Sequence, residues 1–161
     1  MGTTLLEQHY LTPLFEARSV AIVGASEREG SVGSVVLRNM QEAGFKGHLF
    51  AVNPKHKSVF GIRCVADPES VPERLDLAVI VTPAATVPGV IEACGRAGVR
   101  TAVVVSAGFS ETGPKGERLE HTLAENARRH RIRDRSELPR HHAAGDRSER
   151  KLCPRTGARR L

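Results

Sequence analysis

The chain has 161 residues, with 24 Lys and Arg against 18 Asp and Glu, a net charge of +6, 40% hydrophobic and 26% charged residues. That length suits one domain able to bury a core, and no apolar run approaches the roughly 20 residues of a membrane span. Five Phe, one Tyr and no Trp argue against an aromatic stacking surface for single-stranded nucleic acid.

The N-terminal MGTTLLEQHY has neither a basic n-region nor a long apolar h-region, and Leu6 stands where a myristoylation site carries Ser or Thr. The expectation is a leader over 1–13 and a cytoplasmic protein. From Ser19 to Ala25, SVAIVGA is an almost unbroken apolar run, as for a strand covered on both faces. Ser31 can cap a helix from Val32 to about Ala43, with Val35, Val36, Met40 and Ala43 at helical spacing and Gly44 as its stop. His48 to Pro54 reads as a second strand. Lys55 to Pro72 reads as a turn-rich connection with a short helical piece.

Leu75 to Pro83 reads as a third strand, and Thr86 to Ala97, closed by Gly98, as a helix. Thr101 to Gly108 reads as a fourth strand, and Gly113 to His130 as a long polar helix with Leu119, Leu123 and Ala127 along one side. Apolar strands alternating with helices predict an α/β fold, a Rossmann-like, doubly wound parallel sheet with right-handed crossovers.

The pattern stops at Arg133. From Asp134 onward there is no hydrophobic period, so 134–161 read as a disordered basic tail. Charge divides at nearly the same place. Residues 1–127 hold 12 basic and 14 acidic side chains, net −2; residues 128–161 hold 12 and 4, net +8. The positive excess therefore belongs to the tail and not to a nucleic-acid-binding domain.

Ligands of an open parallel sheet lie beyond the carboxyl ends of its strands. The first such end is GASEREGSVG, where Gly24, Gly30 and Gly33 free the backbone to turn and to approach a ligand. Ala25, Ser26, Ser31 and Val32 flank a helix start whose N–H groups and dipole suit a phosphate. The spacing G-x5-G-x2-G departs from the dinucleotide fingerprint. At the second strand end, Asn53-Pro54-Lys55-His56-Lys57 offers two lysines and no carboxylate, which suits a phosphorylated ribose, as in CoA or NADP, better than NAD. Solvated loop charges would look the same. Thr82-Pro83 and Ser106-Ala107-Gly108 put small residues at the third and fourth ends. Cys64, Cys94 and Cys153 are too far apart for a C-x-x-C pair. His141 and His142 are the only clustered histidines and lie in the tail, so no catalytic or metal set emerges.

LFEARSVAIVGASEREGSVGSVVLRNM, AVNPKHKSVFG, DLAVIVTPAATVP and AVVVSAGFSETG, in that order, closely resemble the CoA-binding domain of NDP-forming acyl-CoA synthetases. That group includes ADP-forming acetate–CoA ligases, the more distant succinyl-CoA synthetase alpha subunit and members fused to an acetyltransferase. The resemblance spans about Leu14 to Arg133 and gives the domain 14–133. It implies coenzyme A or acyl-CoA as ligand, with Gly24 to Gly33 on its phosphates, Asn53, Pro54 and Lys55 beside the nucleotide, and Thr82 and Pro83 along the ligand path.

Members of that family continue into a Gly-Pro-Asn-Cys-x-Gly loop, a domain with a phosphorylated His, and usually an ATP-grasp region. None is recognisable here. The ligase chemistry would then need a separate chain. Reading the codons of the segment that begins at Asp134 from their second base, with free choice of third bases, permits I-G-P-N-C-L-G-I-M-R-P. The expectation from that agreement is a shifted reading frame near codon 133. It would delete a fifth strand expected after about Ile132, leaving the sheet incomplete at that edge and an uncovered apolar patch on the last helix. Three other readings stay open: a basic tail that binds RNA or an acidic partner, an NAD(P)-binding oxidoreductase or sensor module, and a stand-alone CoA-binding sensor.

Overall fold

The computed structural model describes residues 16–134. The expected leader, the tail beyond Asp134, Cys153 and the His141-His142 pair lie outside the described residues. The strands are β1 (Ser19–Val23), β2 (His48–Val52), β3 (Ser58–Val59), β4 (Ile62–Val65), β5 (Leu77–Ile80), β6 (Thr101–Val104) and β7 (Arg133–Asp134), and the helices α1 (Val32–Glu42), α2 (Val87–Arg96) and α3 (Pro114–Arg129). They form one sheet in the order β3-β4-β2-β1-β5-β6-β7. Every pairing is parallel except β3 with β4.

The unbroken apolar run does become the central strand, with all five residues of β1 buried. Alternate side chains feed two cores. Ala21 and Val23 join Ala78, Ile80 and Ala102 beneath Val87 and Ile91 of α2 and Leu123 of α3. Val20 and Ile22 face the other way, onto Leu37 of α1 and Val59 of β3. At the amino end of β1, Asp76 Oδ2 accepts from the N–H groups of Arg18 (3.0 Å) and Ser19 (3.3 Å), while Ser19 Oγ donates to Arg74 O (2.7 Å). These bonds fix the start of β1 against β5. Gly47 lies so close to that corner that a Cβ there would stand 2.1 Å from Arg18 O.

Four expectations change. The Lys55–Pro72 connection contains an antiparallel hairpin, β3–β4, followed by a 3₁₀ turn at Pro68–Ser70 capped by Asp67. Its strands are too short to show an alternation, and its turn is Phe60-Gly61, with φ of +47° and +76°. On α1 the buried residues are Gly33, Ser34 and Leu37; Val36 and Met40 are half-buried, whereas Val35 (47% exposed) and Ala43 face outward. Small residues at 33 and 34 let the helix lie down on that side, which rotates Val35 away. Beyond Ile132, β7 does form and pairs in parallel with β6, Thr101 opposite Arg133 and Ala102 opposite Asp134. The last helix is covered too, because Leu123 and Ala127 are 2% and 3% exposed. The exposed large apolar side chains among the described residues are instead Val32, Val35 and Val105. No helix among those residues is long and apolar enough to cross a membrane.

Leu37 is fully buried under α1. Leu37→Ala is expected to cost about 2–5 kcal/mol in urea unfolding, while Val35→Ala changes stability by no more than about 0.5 kcal/mol. Equal losses at the two positions would mean that α1 presents a different face to the sheet.

Candidate functional site

The carboxyl edge is stitched together across four strands. Gly24, with φ +95°, turns the chain out of β1. A Cβ there would meet Thr82 Cγ2 at 3.0 Å, so Gly24 and Thr82 are in direct contact. Ser31 ends the loop as the cap of α1. Its Oγ accepts from Ser34 N (3.2 Å), and its carbonyl accepts from Val35 N (3.0 Å). Those bonds use two first-turn donors. The N–H groups of Val32 and Gly33 precede any intrahelical acceptor and, with the helix dipole, favour an anion at the loop. Gly33 is where the helix meets the loop most closely, since a Cβ on it would lie 2.6 Å from Gly24 O. Gly30 instead has open space around it and is required only for its φ of +71°. Within the loop, Arg28 N donates to Ser26 Oγ (3.0 Å) and Ser31 N to Arg28 O (3.1 Å).

Asn53 joins the second strand end to this loop. Its Nδ2 donates to Ala25 O (2.7 Å), and its Oδ1 accepts from Lys55 N (2.9 Å). Ala25 itself is fully buried. On the other side, Ser106 Oγ donates to Thr82 O (2.5 Å), tying the ends of β5 and β6. Thr82 Oγ1 is buried and without a hydrogen-bond partner among the described residues, so Thr82 serves the edge through its methyl and its carbonyl. Pro83 is exposed at the start of a 3₁₀ turn, Ala84–Thr86, that leads into α2. Gly108, with φ +111°, packs near Ala84, and its N–H donates to Glu111 Oε1 (2.5 Å). Backbone N–H groups of Gly108, Glu111 and Phe109 hold the Glu111 carboxyl below the ordinary carboxylate range.

The sequence-selected residues thus form one continuous edge in which Asn53 touches the loop, the loop touches Thr82, and Thr82 touches Ser106. Adjacent strands lie about 4.8 Å apart, so β2 to β6 spans roughly 14 Å, a path for an extended ligand and not for a single small ion. Beside β2, a cavity of about 340 Å³ is lined by Asn53, Pro54, His56, Lys57 and Arg63, among others. Lys55 does not line it.

Two contributors escaped the sequence reading. Glu27 Oε1 accepts from Phe60 N (2.7 Å), fastening the loop to the hairpin, and Arg63 enters the cavity wall from β4. Gly61, a turn residue between the β-branched Val59 and Ile62, was the available signal. Neither described cysteine is an activated nucleophile. Burial pushes the Cys94 thiol up to about 12, and burial with the Glu27 carboxylate raises that of Cys64. No cluster of potential metal ligands occurs among the described residues.

Comparison with known proteins points the same way. A model of the family described as CoA binding domain matches residues 18–137. Acetate–CoA ligase (ADP-forming) I of Archaeoglobus fulgidus is 44% identical over 120 residues, 74% of this chain and 17% of that protein. The alpha subunit of the corresponding Pyrococcus furiosus enzyme I is 36% identical over 127 residues, 76% of this chain and 28% of the subunit. The apo structure of the dinucleotide-forming acetyl-coenzyme A synthetase 1 of Ca. Korarchaeum cryptofilum superposes with a TM-score of 0.73 at 40% identity, over 77% of this chain and 27% of that one. The chain therefore spans less than a third of each of these proteins.

Asn53→Ala removes both bonds of that side chain and strands a buried carbonyl. It should cost about 1–3 kcal/mol in chemical unfolding and speed amide exchange across the loop, and unchanged loop exchange would show that Asn53 does not hold it. For Glu111 the sign follows from a folded pKa below the unfolded one. Its contribution is full above the unfolded pKa and lost as pH falls through the folded one. The melting-temperature gap between the native chain and Glu111→Gln should accordingly close on acidification, and a gap that widens there would contradict the assignment.

Proposed function

The chain belongs to the CoA-binding domain family, and on that premise we propose that its carboxyl edge holds coenzyme A or acyl-CoA. The pyrophosphate would sit on the Gly24–Gly33 loop against the start of α1, with the adenosine end beside Asn53, Pro54 and Lys55. The pantetheine arm would run past Thr82 and Pro83 toward Ser106 and Gly108. The observation that carries this reading is the contact of Gly33 with Gly24 O, which sets the start of α1, with the N–H groups of Val32 and Gly33, directly against the glycine loop. Supporting it are the small residues Gly24, Ala25, Ser26, Gly33, Thr82, Ser106 and Gly108 at the strand ends and the absence of a carboxylate in the segment 53–57 after β2.

In this reading the domain contributes binding and orientation. It anchors the nucleotide end of CoA and leaves the thiol at the far end of the arm, available to acyl chemistry supplied by other protein segments. The relatives named above make that chemistry the joining of an acid to CoA with ADP formation. Participation in such a ligation, with the remaining machinery provided elsewhere in the protein or by a partner chain, is the proposed setting.

Ligand-dependent melting tests the reading. A ligand at one hundred times its dissociation constant adds about 2.7 kcal/mol of stability, so CoA should raise the melting temperature by several degrees and NAD(H) should not. Gly33→Ala, which forces helix and loop apart, should abolish the CoA-dependent shift. Stabilisation by NAD(H) with none by CoA would overturn the proposal in favour of a redox-cofactor module.

A further inference from the structure

Lys57 and Arg63 come from different segments, one just before β3 and one on β4, yet both line the cavity beside β2 with His56. The hairpin register holds the two segments side by side at the cavity. Ser58 pairs with Arg63, and Cys64 N donates to Lys57 O at 2.9 Å. No carboxylate lines the cavity. Neither Lys57 nor Arg63 forms an ion pair among the described residues, whereas Arg96 in the same molecule pairs with both Glu69 and Glu92. The nearby Glu27 carboxylate is engaged by Phe60 N. Cations lining a concave site without a counter-charge favour an anion there, and a guanidinium and an ammonium both suit a phosphate dianion.

The hairpin is also held in place. Its turn residue Phe60 adopts φ +47°, unusual for an aromatic residue, and three groups fasten it there. Glu27 accepts from its N–H, Gln41 Nε2 donates to its carbonyl (3.2 Å), and the Arg38 guanidinium lies 5.2 Å above its ring. Glu27 belongs to the glycine loop and Arg38 and Gln41 to α1, so the cationic wall is fixed relative to the proposed pyrophosphate site. Asn53, which lines the same cavity, reaches the loop through Ala25 O.

We infer that the β3–β4 hairpin, through Arg63 and Lys57, reads the phosphate on the ribose of the bound nucleotide and so selects CoA over its dephosphorylated form. Lys55, outside the cavity wall, does not set this choice. The inference rests on the CoA reading above and adds to it the group that discriminates among nucleotides.

Calorimetric titration of the full chain with CoA and with dephospho-CoA tests it. A charge-assisted phosphate contact corresponds to at least about tenfold in affinity, so the native chain should bind CoA at least that much more tightly than dephospho-CoA. Arg63→Gln, and more fully Arg63→Gln with Lys57→Gln, should bring CoA down to the affinity of dephospho-CoA. Dephospho-CoA binding should stay within about twofold, and Lys115→Gln, at an exposed lysine of α3 outside the cavity wall, should leave both affinities intact. Both altered side chains are exposed, and an unchanged ligand-free melting temperature certifies the fold. Equal affinity of the native chain for both ligands, or equal weakening of both by Arg63→Gln, overturns the inference and leaves the CoA reading standing. Failure of both ligands to bind the native chain overturns the two together.

Discussion

The absence of a side chain at Gly33 is the constraint on which the carboxyl edge depends. A methyl group there would sit 2.6 Å from Gly24 O, so α1 and the β1 exit could not share their present spacing. That approach lets Ser31 cap the helix while its first N–H groups stay close to the loop backbone. Gly24 in turn packs on Thr82, and Thr82 O receives Ser106 Oγ. Displacement at one point would pass along the edge, because each contact is between backbone or short, stiff groups with few alternative positions.

The other end of the sheet is fixed by different means. There Asp76 and Ser19 exchange side-chain and backbone bonds, and Gly47 admits close passage of the chain past Arg18. The amino end is thus secured by exposed and part-buried hydrogen bonds, and the carboxyl end by close packing with polar groups kept available. A site built this way can offer backbone donors to a ligand without losing its own support, since strand register is set elsewhere.

Much of this was legible in the sequence. An apolar run that must be covered on both faces placed β1, and Ser31 with Gly44 bracketed α1 to within one residue. The four strand ends chosen as ligand-facing do lie on one edge. What escaped were features that local pattern does not encode. Strands of two and four residues give no measurable period, and Phe60 takes a turn conformation that its own side chain disfavours because Glu27, Gln41 and Arg38 hold it. Arg63 and Glu27 lie 36 residues apart, and only tertiary contact shows that they serve one corner. The rotation of Val35 outward was hidden for a similar reason, since spacing alone does not say which flank of a broad apolar stripe has the smaller residues.

The central place of β1 has a consequence for synthesis. β1 is complete at Val23, but its two neighbours are β2 and β5, and the second of these ends only at Ile80. On the ribosome, five consecutive residues that are wholly buried in the finished domain must wait for more than fifty further residues before both flanks can pair. At about 5–20 residues per second that interval is several seconds, long against the microseconds in which apolar segments collapse. The most regular strand of the sheet is therefore also its longest-lived sticky segment during birth, and protection from chaperones would matter most before Leu77 emerges.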